Sequence, residues 1–230
     1  MALINDFMSL IFPRHCEACA NTLFKHEHYI CNYCKVNLPH SNFHLNPDSA
    51  LHRTFAGRIP IRNAGSYYIF EKSGKVQNLL HAIKYQNQKE LAAHLGKLYA
   101  LELTKHESFQ SVDLIIPIPL HPKKLKARGF NQSEWFANGL GSGLNRLTNS
   151  QAMQRVVETS TQTRKKKYQR WENVENIFQL TNKSELENKH VLLVDDVITT
   201  GATLEAAWQT LKEVDGISIS IASIAFASMG

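Results

Sequence analysis

The chain has 230 residues, 43% of them apolar, enough for one sizeable α/β core with something small attached and too few for two large domains. Its formal charge of +6, from 26 basic against 20 acidic side chains, suits an anionic partner such as phosphates or nucleic acid without choosing between them, and solubility alone also accounts for it. The opening Met1 to Phe12 is apolar but short, carries Asp6 and lacks a basic start or a cleavage site, so it reads as neither signal peptide nor membrane span, and a cytoplasmic location is expected.

All four cysteines, Cys16, Cys19, Cys31 and Cys34, lie in one stretch as two Cys-x-x-Cys pairs eleven residues apart. Each pair can form a knuckle presenting two thiolates. Two knuckles complete a tetrahedral shell of four sulfurs with no position left for water, so a structural Zn2+ is expected. Two disulfides are the alternative, against which stands the absence of any mark of secretion. His15, His26 and His28 are further candidates to replace a thiolate. No cysteine is left over for catalysis. The zinc-binding module is placed at 12–45, a polar linker containing Pro47 at 46–60, and the main domain at 61–230.

Ala64 to Phe70 reads as a strand, and Gly74 to Tyr85 as an amphipathic helix with Val76, Leu79, Leu80 and Ile83 on one face. A second helix is expected from about Lys89 to Lys105. Asp113 to Ile118 is a buried strand ending in the stiff Pro117 and Pro119. Lys123, Lys124, Lys126 and Arg128 follow, read as a basic loop that suits pyrophosphate, with a merely solvated loop as the alternative. Asn131 is the expected cap of a helix running to Leu144. Thr161 to Phe178 again mixes cations with aromatics. Then come a strand from His190 to Asp195, a helix from Thr203 to Val214 and a strand from Ile217 to Phe226. Alternating β and α predicts a mostly parallel sheet flanked by helices. Ligands in such sheets bind outside the carboxyl ends of the strands, where Asp195/Asp196 and Pro117/Pro119 both emerge.

The segment Asp195-Asp-Val-Ile-Thr-Thr-Gly-Ala-Thr203 carries the chemistry. Backbone N–H groups from Thr200 to Thr203, with their hydroxyls, can surround a monophosphate at a helix start, and Gly201 lets the backbone close around it. The two carboxylates can accept from ribose hydroxyls and hold a divalent cation. A ribose 5-phosphate is the expected ligand. The nonamer resembles the phosphoribosyl pyrophosphate (PRPP) motif of type I phosphoribosyltransferases; two acids capping a strand in an unrelated α/β protein are the alternative.

The four-cysteine module, Lys84-Tyr85, the Pro-x-Pro followed by Arg128-Gly-Phe-Asn-Gln132, Thr163 to Asn176 with Phe178, and the PRPP motif occur in this order in the ComF family, which the chain resembles over about 12–45 and 64–230. That resemblance implies a zinc ribbon joined to a type I phosphoribosyltransferase-like domain, acting in natural transformation or DNA uptake and utilisation. It also implies site residues: Asp195 and Asp196 as the catalytic acids, and PRPP held by them with Thr199, Thr200, Gly201, Ala202, Thr203, Pro119, Leu120, His121 and Arg128. Pro117-x-Pro119 becomes the pyrophosphate loop, Thr161 to Asn176 a flexible hood, and Mg2+ a companion of PRPP.

The fold does not by itself establish catalysis. One function is a PRPP-binding protein that handles single-stranded DNA or competence partners. The other is an active phosphoribosyltransferase with an unidentified acceptor. Thr199 stands where 6-oxopurine salvage enzymes carry an Asp general base, which argues against plain purine salvage. Candidate DNA contacts are Lys123, Lys124, Arg164, Lys165, Lys166 and Tyr168, since cations interleaved with aromatics such as Tyr168 and Trp171 can track a single strand; the same cations also suit the phosphates of PRPP. Lys84 and Tyr85 either line the site or cap and pack a helix end. His81 and His121 read as surface or packing residues.

Overall fold

The computed structural model describes residues 12–157 and 177–227. Its centre is a five-stranded sheet built from β1 (Ile61–Ile69), β2 (Leu114–Pro117), β3 (Leu147–Thr148), β6 (His190–Ile198) and β7 (Ser218–Phe226), in the order β1-β7-β6-β2-β3. Every pairing in it is parallel. A short antiparallel ribbon, β4 (Met153–Arg155) with β5 (Phe178–Leu180), lies outside it. The stretch expected as a hood, with Arg164, Lys165, Lys166, Lys167, Tyr168 and Trp171, falls between these two strands and lies outside the described residues.

The apolar runs of the central strands are continuous because both faces of the sheet are covered. Side chains alternate across a strand, so neighbours enter different cores. Leu192 and Val194 of β6 join one apolar cluster, and Val191 and Leu193 the other. Over the first face lie α3 (Lys75–Tyr85), α4 (Lys89–Leu103), the short α5 (Glu107–Gln110) and α7 (Gln132–Leu144), contributing Leu79, Ile83, Leu91, Leu95, Phe109, Phe136 and Leu140. Over the second lie α8 (Ala202–Leu211) and α2 (Ala50–Phe55), contributing Leu204, Leu211, Leu51 and Phe55. The cysteine segment, with α1 (Asn32–Asn37), packs on the first face: Cys34, Ile30 and Leu38 share a cluster with Tyr67, Tyr68 and Leu79.

Three local features differ from the sequence reading. The polar stretch 46–60 contains α2, whose Leu51 and Phe55 are fully buried; Ser49 caps it by accepting from the His52 N–H. The cations after Pro119 sit on a helix, α6 (Pro122–Arg128), and not on a loop. Pro122 presets the first helical φ, the His121 imidazole accepts from the Lys123 N–H at 3.3 Å, and the helix ends at Gly129. Finally, β6 continues past Asp195 to Ile198, pairing Asp195 with Ser223 and Ile198 with Phe226, so both acids lie within the strand. Among the described residues no helix is long and apolar enough to cross a membrane.

Candidate functional site

The carboxyl ends of β2 and β6 open into a cleft of about 640 Å3. Its acidic wall is Asp195 and Asp196. Lys124 and Arg128, four positions apart and so on one face of α6, also line it, with Arg155 from β4; Lys84, from the end of α3, lies beside the acids. Pro119 and Leu120 line the turn between β2 and α6, and Thr203 borders the cleft from α8.

The two acids are held differently. Asp196 is buried and accepts from the Lys84 ammonium at 2.6 Å and from the Gln132 amide at 2.9 Å. Gln132 in turn accepts from Arg128 at 2.6 Å. Asp195 accepts from the Ser133 hydroxyl at 3.1 Å and from the Asp196 N–H at 2.8 Å. Burial, reinforced by the negative charge of Asp196, pushes the Asp195 carboxyl up to about 7. Gln132 and Ser133 reach the acids because Asn131 starts α7 at this point: its side chain accepts from the Ser133 N–H, while its amide donates to the Ile118 carbonyl at 3.0 Å. One residue thus ties the helix start to the end of β2. Burial lowers the affinity of the Arg155 guanidinium for its proton, and the charge of Asp195 opposes this. Its Cζ lies 5.5 Å from the Phe178 ring centroid.

Thr199, Thr200 and Gly201 form the loop between β6 and α8; with Ala202, the first residue of α8, they line a small hollow of about 30 Å3 shared with Asp195 and Thr203. The Ala202 N–H donates to the Thr200 hydroxyl at 3.3 Å. Gly201 has φ +74°, and a Cβ there would come within 2.5 Å of the Phe55 ring. It is therefore required both by the left-handed turn and by the aromatic ring of α2 beneath it. Of the basic candidates, Lys124 and Arg128 line the cleft, whereas His121 caps α6 and Lys123 is not among the lining residues. Lys84 and Tyr85 do line it, as does Gln132, which ends the Arg128–Gln132 motif but had no role read for it; Ser133, Arg155 and Arg58 are site neighbours that no local motif announces. A second groove of about 550 Å3, on the far side of Lys84, Tyr85 and Asp196, is lined by Phe70, Gln77, Leu80, His81 and Thr199.

The four cysteines form a separate centre. All are free thiols, and their Sγ atoms lie within 4.8 Å of one another. The Cys19 to Cys31 distance of 3.8 Å equals the edge of a tetrahedron with metal–sulfur bonds of about 2.3 Å. The Cys31 N–H donates to Cys16 Sγ and the Cys34 N–H to Cys31 Sγ, which favours thiolate sulfur. Buried Glu27 accepts from the Phe24 and Asn32 N–H groups at 2.8 and 2.7 Å, pinning the chain between the two knuckles. This donor set fits one thiophilic metal ion.

A family profile described as a phosphoribosyl transferase domain matches residues 135–228. The DNA utilization protein YhgH of Escherichia coli K12 is 32% identical over 146 residues, 62% of this chain and 63% of that protein. The chain thus matches less than two thirds of that relative's length. Competence protein F of Haemophilus influenzae is 31% identical over 151 residues, 64% of this chain and 66% of that protein. Competence protein ComFC of Bacillus subtilis is 28% identical over 209 residues, 90% of this chain and 81% of that protein. That last match reaches well beyond the domain profile. With relatives of this kind on a parallel sheet that joins an acid-pair cleft to a cysteine quartet, the chain belongs to the ComF family.

Proposed function

We propose that this chain binds PRPP, or its ribose 5-phosphate part, in the cleft at the end of β6 and acts in the cytoplasm in the uptake and utilisation of DNA. The observation that carries the reading is the acid pair Asp195/Asp196, which shares one hollow with the Thr200–Thr203 segment and one cleft with Lys124, Arg128 and Arg155. The loop at the start of α8 suits the 5-phosphate, by its N–H groups and by the helix dipole. The acids suit the ribose hydroxyls. The cations lining the cleft suit a pyrophosphate. Asp195 and Asp196 would also hold Mg2+, which when bound supplies charge neutralisation for the phosphates. Lys84 adds a fixed positive charge at Asp196. The cysteine quartet is assigned Zn2+ in a structural role.

The names of the relatives, DNA utilization and competence proteins, support the DNA-linked role. Single-stranded DNA is assigned to Lys123 and to the stretch containing Arg164, Lys165, Lys166 and Tyr168; Lys124 is left to the cleft. Calorimetry with PRPP and Mg2+ tests the core of this reading. Micromolar binding by the wild-type chain, lost in Asp195→Asn with Asp196→Asn, is expected; unchanged affinity in the double variant would remove the claim. For DNA, log affinity should fall linearly with log salt at about −0.7 per phosphate contacted, and neutralising residues 164–167 should make the slope shallower.

A further inference from the structure

The loop that suits the 5-phosphate is held from behind by the segment preceding β1. Arg58 donates from one guanidinium nitrogen to the Thr200 carbonyl at 2.8 Å and to the Thr54 carbonyl at 3.0 Å. From the other it pairs with Glu205. Arg58 therefore bridges the end of α2, the loop and the first turn of α8. Three residues earlier, the Phe55 ring fills the space under Gly201.

Two physical consequences follow from this bridge. A trans peptide is planar, with its C=O and N–H pointing in opposite directions. Drawing the Thr200 carbonyl towards Arg58 turns the Gly201 N–H away from it, to the side of the loop opposite the guanidinium. Secondly, Glu205 places a negative charge in the first turn of α8, where it competes with any bound anion for the positive end of the helix. The guanidinium cancels that charge.

We propose that Arg58 is a positioning residue for the phosphate loop: it fixes the Thr200–Gly201 peptide in the anion-accepting orientation and neutralises Glu205, so that a phosphomonoester is bound without repulsion. The inference rests on the reading of this loop as a 5-phosphate cradle. Both Arg58 and Glu205 are about one third exposed, so the pair contributes little to stability, and its role is to hold the loop ready for the anion.

The test uses the full chain with ribose 5-phosphate and PRPP as probes, each with Mg2+, by calorimetry at low and high salt. Arg58→Ala should weaken both ligands by roughly three- to tenfold at low salt, with little change in melting temperature. Adding Glu205→Gln to Arg58→Ala should restore part of the affinity, because it removes the competing charge, and Arg58→Lys should restore part by returning one donor. The loss should shrink at high salt. A purely structural role for Arg58 would lower the melting temperature and would not be relieved by Glu205→Gln. Equal affinity in wild type and Arg58→Ala overturns the inference while leaving the PRPP reading intact. No binding by the wild type overturns both.

Discussion

Asp195 is the residue at which stability and ligand binding oppose each other most directly. Its carboxyl releases a proton near 3.8 in the ordinary case but near 7 here, so between those values the native state holds a proton that the unfolded chain has lost. Stability from this group therefore falls as pH rises through that window, and is lowest above it. Asp195→Asn should raise the melting temperature of the ligand-free chain at pH 8 by roughly 2–4 °C, the change that about 1 kcal/mol makes in a domain of this size. At pH 5 the gain should be smaller. The same variant should bind PRPP poorly, and a lower melting temperature at pH 8 would show that the acids do not repel each other. The acid pair is legible in the sequence because its chemistry is contiguous with an apolar run and a Thr/Gly turn. Its partners are not. Gln132 lies 64 positions from Asp196, and Arg58 lies 142 from Thr200, so no local spacing links them.

Among the elements, α6 shows how a string of cations conceals a helix. Lys, Leu, Ala and Arg are good helix formers, and Pro122 at the first position starts a helix as readily as it stiffens a loop. A reading as a loop weighs the prolines and the charges and leaves out propensity. In α2 a Leu and a Phe four positions apart form a buried stripe too short to register beside polar neighbours. The contact of α4 with α7 is also beyond reach. A Cβ at Gly139 would collide with the Ala93 carbonyl, and one at Gly96 with the Phe136 carbonyl, so these glycines let two helix backbones touch. Helical glycine alone signals only a weak helix. Because α7 presents Gln132 and Ser133 to the acids, Gly139→Val should both destabilise the chain, by about 1–3 kcal/mol from overpacking, and weaken PRPP binding. Denaturant melts and calorimetry on one preparation check the two effects; lost stability with unaltered affinity would mean that α7 yields without moving its amino-terminal end.

At the scale of the whole molecule, the α/β alternation settles the sheet type in advance, and the strands at Ala64, Asp113, His190 and Ile217 all find their places in it. The docking of the cysteine segment has no such signature, because the burial of Ile30, Cys34 and Leu38 against Tyr67, Tyr68 and Leu79 depends on residues far apart in sequence. Metal removal should therefore be felt beyond the knuckles. A strong chelator should lower the melting temperature of the main transition by about 10 °C, as several kcal/mol do at roughly 2–4 °C each. A main transition unaffected by chelation would mean that the sheet stands without help from the cysteine segment. The pairing of β1 with β7 has a further consequence. Ile61 lies opposite Ile219 and Ile69 opposite Phe226, so the earliest strand of the sheet is completed by the latest. At ribosomal speeds of about 5–20 residues per second, β1 emerges on the order of ten seconds before its neighbour exists. Through that interval the growing chain carries an apolar strand edge with nothing beside it. Shielding of that edge by chaperones, and faster translation of the remaining chain, should therefore raise the yield of folded protein.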